Sequence, residues 1–197
     1  MKKNGTYNTY YSDGQLESES TYKDGDLAGL VKHWYEDGRL AEEENWNGGK
    51  RDGLNKRWHS NGQLQFEWNW KDGKQDGLVK SWHSNGQLGY ETNYKDNKLG
   101  GLSKRWHSNG QLKDEGDFKD GKEDGLHKQW YENGQLEYET NYKDGELDGL
   151  YKDWYEDGQL ESKSNFKDGK RDGLCQSWYE GGELRYEFNY KGGELIN

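Results

Sequence analysis

The chain has 197 residues, of which 28% are hydrophobic and 34% charged, and its net charge is −10. Leu, Ile, Val and Phe together supply only 26 residues, too few for an ordinary packed core, yet ten Trp, fifteen Tyr and 29 Gly with no Pro are not the composition of a disordered chain. The acidic balance weighs against phosphate-dominated nucleic-acid binding and against anionic lipid, and no stretch approaches the roughly 20 apolar residues of a membrane span.

The chain opens with Lys2 and Lys3 but has no apolar segment after them, so a cytoplasmic protein is expected. Thr6 to Tyr11 reads as a weaker version of a strand that recurs later. From Gly14 onward a glycine returns every 24 residues, at Gly38, Gly62, Gly86, Gly110, Gly134, Gly158 and Gly182, each followed two places on by a leucine, from Leu16 to Leu184. A second ladder runs from Gly29 to Gly173, each glycine preceding a leucine. Four residues past each of those leucines stand Trp34, Trp58, Trp82, Trp106, Trp130, Trp154 and Trp178. Eight units of 24 residues therefore cover about 5–196, and a single domain over 1–197 is expected. The end, Lys191 to Asn197, stops where the next Asp-Gly-Leu would begin.

Each unit predicts two short strands and two turns, since Asn-Gly and Asp-Gly between alternating segments mark hairpins. A three-residue loop at Glu36, Asp37 and Gly38 would set Tyr35 opposite Arg39, Trp34 opposite Leu40, Lys32 opposite Glu42 and Leu30 opposite Glu44. Period-two alternation then gathers Leu30, Trp34, Leu40 and Trp46 on one apolar face, with Val31, His33, Tyr35, Glu43 and Asn45 on the other. The expected fold is all-β: an elongated, twisted, single-layer, solenoid-like array of about eight hairpins, an antiparallel meander of about sixteen strands. The glycines from Gly38 to Gly158 and Trp34, Trp82, Trp106, Trp130, Trp154 and Trp178 are expected to be structural, with the Leu and Trp columns joining hairpin to hairpin.

Little catalytic chemistry is visible. His59, His83 and His107 lie one unit apart, which separates them by two strands, about 9.6 Å. Two histidine nitrogens on one zinc lie no more than about 4 Å apart. Tyr11, Tyr35, Tyr131, Tyr155 and Tyr179 hold the same column, so each histidine is read as a planar ring beside a turn. The glutamates at Glu19, Glu43, Glu67, Glu91, Glu115, Glu139 and Glu187, interrupted by Lys163, repeat too regularly to form an acid/base pair and are read as a salt-bridged face. The Asp-Gly-x-x-Asp-Gly loops lack calcium-site spacing, and Cys175 occupies a slot that also takes Val31, Asn55, Val79, Ser103, His127 and Tyr151. No catalytic residue, metal site or cofactor is expected.

Specificity is sought where units differ. The varying columns are Ser18, Glu42, Phe66, Tyr90, Asp114, Tyr138, Ser162 and Tyr186, and beside them Ser20, Glu44, Trp68, Thr92, Gly116, Thr140, Ser164 and Phe188. In the third unit Trp58, Phe66, Trp68 and Trp70 are expected to gather on one face, dense enough in aromatics for an interface hot spot. Tyr186, Phe188 and Tyr190 raise the same expectation near the end, where they could cap the array or dock another copy.

The run Tyr-Lys-Asp-Gly-x-x-Asp-Gly-Leu-x-Lys-x-Trp-x-x-x-Gly-Gln-Leu, seen from Tyr142 to Leu160, resembles the MORN repeat in its bacterial variant, over nearly the whole chain. The resemblance implies a β-hairpin array used as a scaffold or protein-binding surface, with antitoxin-like roles among bacterial members. Membrane or phosphoinositide binding belongs to some relatives, and the acidic balance disfavours it here. The expected function is thus a non-enzymatic protein-binding scaffold, antitoxin- or immunity-like. One alternative is end-to-end self-assembly through open edge strands. Another is an aromatic-cage module for cell-wall carbohydrate or choline, although choline-binding repeats have a shorter period.

Overall fold

The computed structural model describes residues 2–196. Asn197, at the open end of the repeat, lies outside the described residues. The chain partitions into two compact units, 1–98 and 99–197, both built from strands, with no helix among the described residues. In the first unit the strands are β1 Gly5–Tyr10, β2 Leu16–Lys23, β3 Asp26–Leu27, β4 Gly29–Trp34, β5 Leu40–Asn47, β6 Lys50–Arg51, β7 Gly53–Trp58, β8 Leu64–Lys71, β9 Lys74–Trp82 and β10 Leu88–Lys95. In the second, where β11 begins at Lys98, they are β11 Lys98–Trp106, β12 Leu112–Lys119, β13 Lys122–Trp130, β14 Leu136–Lys143, β15 Glu146–Leu147, β16 Gly149–Trp154, β17 Leu160–Lys167, β18 Lys170–Trp178, β19 Leu184–Lys191 and β20 Glu194–Leu195. The pairs β3/β4, β6/β7 and β15/β16 are each one return strand interrupted at Ala28, Asp52 or Asp148. With those halves joined, the expected all-β array of antiparallel hairpins is what forms.

Two kinds of turn make the hairpins, and both use left-handed backbone. At the longer loop Tyr35 N donates to the Arg39 carbonyl at 2.8 Å and Gly38 N to the Tyr35 carbonyl at 2.9 Å, with Gly38 at φ 81°. At the shorter one Lys71 pairs with Lys74 across Asp72 (φ 50°) and Gly73 (φ 82°). A two-residue loop with both central φ positive is the type I′ turn that matches strand twist, and Asp and Gly tolerate it best. Within the second glycine ladder one position answers a different need. Gly125 has φ 127° and a Cβ there would lie 2.9 Å from the Asp117 Cβ, so no other residue fits.

One register difference reorganises the expected faces. Trp34 does pair with Leu40, but His33 then pairs with Glu42, Lys32 with Glu43 and Leu30 with Asn45. Ala41 is left over as a bulge. The same step recurs at Gln65 and Gly89 in the first unit and at Lys113, Glu137, Glu161 and Arg185 in the second. A bulge inserts one residue into one strand and thereby exchanges the faces of everything beyond it. Leu30, Lys32, Trp34, Leu40, Glu43 and Asn45 consequently share one face, while Val31, His33, Glu42, Glu44 and Trp46 share the other.

Burial shows which face is inside. Leu30, Leu54 and Leu78 are 37–45% exposed together with Leu102 and Leu126, and the tryptophans from Trp34 to Trp178 are half-buried. The leucine column is therefore an open-face feature and not a core. The row that is buried is the variable one: Val31, Asn55, Val79 and Thr92 in the first unit, Ser103, Thr140, Ser164 and Cys175 in the second. Cys175 accordingly sits at the sealed centre of its face, 1% exposed.

The open face carries the expected salt-bridged row. Glu19, Lys32, Glu43, Lys56, Glu67, Lys80 and Glu91 stand opposite one another in turn across the first unit. Ion pairs form at 3.5 Å for Lys32–Glu43, 3.0 Å for Lys56–Glu67 and 2.8 Å for Lys80–Glu91. The second unit has a row of its own, with Lys104–Glu115 and Lys128–Glu139 at 3.4 and 3.3 Å, until Lys152 meets Lys163.

Candidate functional site

On the buried face of the first unit three rows run across the strands. Glu42, Arg57, Phe66, Ser81 and Tyr90 form the row nearest the longer loops, while Asn55, Trp68, Val79 and Thr92 lie in the centre. Trp46, Arg51, Trp70, Gln75 and Tyr94 form the third. Small or polar residues fill most central positions, so Trp68 stands out there.

The chemistry begins with Glu44, a carboxylate with only 6% of its surface exposed. A buried charge must be paired and hydrogen-bonded. Arg51 forms the ion pair, and the Trp46 indole N–H donates to Glu44 Oε2 at 3.0 Å. The Arg51 guanidinium lies between two indole rings, 5.4 Å from Trp46 and 5.3 Å from Trp70, a cation–π sandwich. Next to it, Phe66 meets Trp68 edge-on at 5.9 Å, and Arg57 lies 6.0 Å over Trp68 while bonding Glu42 at 3.0 Å.

Arg57, Phe66, Trp68, Gln75, Val79, Tyr90 and Tyr94 enclose an open pocket of about 330 Å³. Phe66, Trp68, Trp70 and Tyr90 are thus brought to one face. Trp58 is not: it pairs with Leu64 beyond the bulge and belongs to the open face, one step along the strand from Arg57. Arg57, Gln75, Val79 and Tyr94 escaped the sequence reading, although counting back from Trp70 in steps of two reaches Trp68 and Phe66, and their cross-strand neighbours follow from that register.

In the second unit the candidates divide between two aromatic groups. Tyr138 stacks on Tyr151 at 6.1 Å, and Tyr151 meets Phe166 edge-on at 6.1 Å. His127 lies 5.7 Å from Tyr138 and bonds Glu123 through Nδ1 at 2.9 Å. Burial, with neighbouring acidic groups adding to it, pushes the Tyr138 and Tyr151 hydroxyls up to about 12. Tyr186 and Phe188 stack at 5.4 Å on β19, with Phe188 exposed.

The loop rings have a structural job. His59 Nε2 lies 2.9 Å from the Trp82 carbonyl and His107 Nε2 2.9 Å from that of Trp130. The hydroxyls of Tyr35 and Tyr155 donate to the carbonyls of Trp58 and Trp178 at 2.6 and 2.8 Å. Histidine and tyrosine therefore do the same work, as the shared column implied. Among the described residues no group of three or more His, Cys, Asp or Glu side chains could hold a metal ion, and no helix is long and apolar enough to cross a membrane.

No curated protein shows significant similarity to this chain. The family described as MORN repeat variant matches it eight times in succession, over residues 3–24, 27–47, 51–72, 75–96, 99–120, 123–144, 147–168 and 171–191. Those matches fall one per hairpin on the structure just described, and the chain belongs to the MORN repeat variant family.

Proposed function

We propose that this hairpin scaffold is non-enzymatic and binds a protein partner on its buried face, at the first-unit pocket walled by Phe66, Trp68, Tyr90 and Tyr94. The observation that carries the reading is the pocket itself: aromatic rings converge there with Arg57 and Gln75 at the rim, and large apolar anchors beside a few polar groups are what interface hot spots present. An antitoxin- or immunity-like role is the biological form that family membership suggests, with the scaffold masking a partner's surface.

A choline-type aromatic cage is disfavoured by the chain's own cations. Arg51 already fills the space between Trp46 and Trp70, and Lys3 lies 3.9 Å over Tyr22. A quaternary ammonium would have to displace them.

The test is a peptide-display selection with the whole chain as bait, followed by titration of the enriched peptides against wild type and against Phe66→Ser/Trp68→Ser. At least a hundredfold loss of affinity in the variant, at unchanged circular dichroism, is expected. Equal affinity for both proteins would sink the assignment.

End-to-end self-association is the second reading, because all six residues of β1 are exposed and Leu195 and Ile196 at the other terminus are 56% and 55% exposed. Light scattering separates it from the first: a molar mass that rises above 23.1 kDa with concentration supports it, and a constant mass removes it.

A further inference from the structure

In the second unit the bulky side chains of the buried face give way to serines. Asp153, Ser162, Ser177 and Tyr186 stand opposite one another in turn across β16 to β19, with Tyr151 and Ser164 paired alongside. Because serine is small, an open trench of about 390 Å³ remains, a size typical of ligand sites. Ser164 and Ser177 are only 5% and 3% exposed. Both line the trench.

The charges around those hydroxyls are uneven. Asp153 Oδ1 is buried with no hydrogen-bond partner. Burial first, and the Asp153 charge second, hold the Glu161 carboxyl above its ordinary range, with Glu180 adding to this and Arg185 opposing it. Both cations of the trench are exposed and engaged with rings outside its lining: Arg171 lies 5.5 Å over Tyr190 and Arg185 5.6 Å over Tyr179. The Asp153 and Glu161 carboxylates, the serines and the rings of Tyr151, Phe166 and Tyr186 therefore line a space whose own guanidiniums, Arg171 and Arg185, lie against Tyr190 and Tyr179. An anionic ligand would meet Asp153 and Glu161.

We propose that this trench binds the guanidinium of an arginine side chain presented by a protein partner. A guanidinium offers a rigid fork of N–H donors that matches carboxylates, leaves further donors for serine oxygens, and stacks on aromatic faces. Lysine supplies a point charge without the planar stacking. The net charge of −10 favours a basic partner. Only the source of the arginine rests on the protein-binding reading above.

The experiment titrates the isotope-labelled full chain with four probes and follows its amide resonances by NMR: Ac-Gly-Arg-Gly-NH2, the lysine and citrulline equivalents, and free arginine. Saturable shifts centred on Ser162, Ser164 and Ser177 are expected with the arginine peptide, at least tenfold weaker with citrulline and lysine. Asp153→Asn/Glu161→Gln should weaken binding by tenfold or more, and Ser164→Phe, which fills the trench, should abolish it at unchanged circular dichroism. Citrulline binding equally well, full affinity in the carboxamide double variant, or no saturable shift would overturn the proposal. Free arginine binding tenfold tighter than the capped peptide would overturn a partner side chain as its source. Neither result bears on Phe66 and Trp68, so the two readings fail separately.

Discussion

His59 Nε2 lies 2.9 Å from the backbone carbonyl of Trp82, 23 residues away on the next hairpin. A carbonyl only accepts, so Nε2 carries the proton, and the imidazole reproduces the bond that the Tyr35 hydroxyl makes to Trp58. His59→Tyr should therefore be nearly neutral, while His59→Ala should cost about 1 kcal/mol, the usual net value of one hydrogen bond, with lost packing added. Urea unfolding of both variants checks this. Equal losses would mean that the ring-to-carbonyl bond contributes nothing.

On the first unit's buried face Arg51 pairs with the carboxylate of Glu44, which is buried. Arg51→Met strands the carboxylate and should destabilise by about 3 kcal/mol, whereas Glu44→Gln/Arg51→Met should recover much of that loss, since an uncompensated buried charge is the main cost. A double-mutant cycle by denaturant unfolding measures the coupling.

Lys163 breaks the charge row of the open face, because it opposes Lys152 where other hairpins place glutamate. Lys163→Glu should restore an exposed pair and stabilise by roughly 0.5–1 kcal/mol at low salt. Screening should erase most of the gain at about 1 M salt. Thermal melts at the two ionic strengths decide the matter, and a gain insensitive to salt would point to some other cause.

Tyr138 and Tyr151 should titrate near pH 12. Their folded values lie above the ordinary value of 10, so the neutral form is favoured in the fold. The associated stability is fully present below pH 10 and declines as pH rises from 10 toward 12. Absorbance at 295 nm should show late-titrating tyrosines that Tyr138→Phe and Tyr151→Phe remove one at a time. The Glu161 carboxyl follows the same sign in its own range: raised above its ordinary value, it makes the fold lose stability as pH climbs past that value, and Glu161→Gln should flatten the slope.

A register that omits the bulge exchanges the two faces. The turns announce themselves because positive φ selects Gly, Asn or Asp, as at Gly38 and Asp72. The bulge position takes Glu17, Ala41, Gln65, Gly89, Lys113, Glu137, Glu161 and Arg185, so no side chain marks it, and a register built without it puts Trp58 beside Phe66. Phe66, Trp68 and Trp70 share a face in either register because all three lie on the same side of the bulge, along one strand.

By its sequence alone this protein is determined to be a 24-residue hairpin repeat with Gly-coded turns, interchangeable His and Tyr rings and a Lys–Glu row, because each of those features is a local demand of backbone or charge that recurs at fixed spacing. Only the tertiary structure decided that the leucines face outward, that Cys175 and Ser164 are sealed inside, and that serines open a trench between Tyr151 and Tyr186. Those outcomes depend on which strand position faces which, and a single unmarked extra residue per hairpin sets that register.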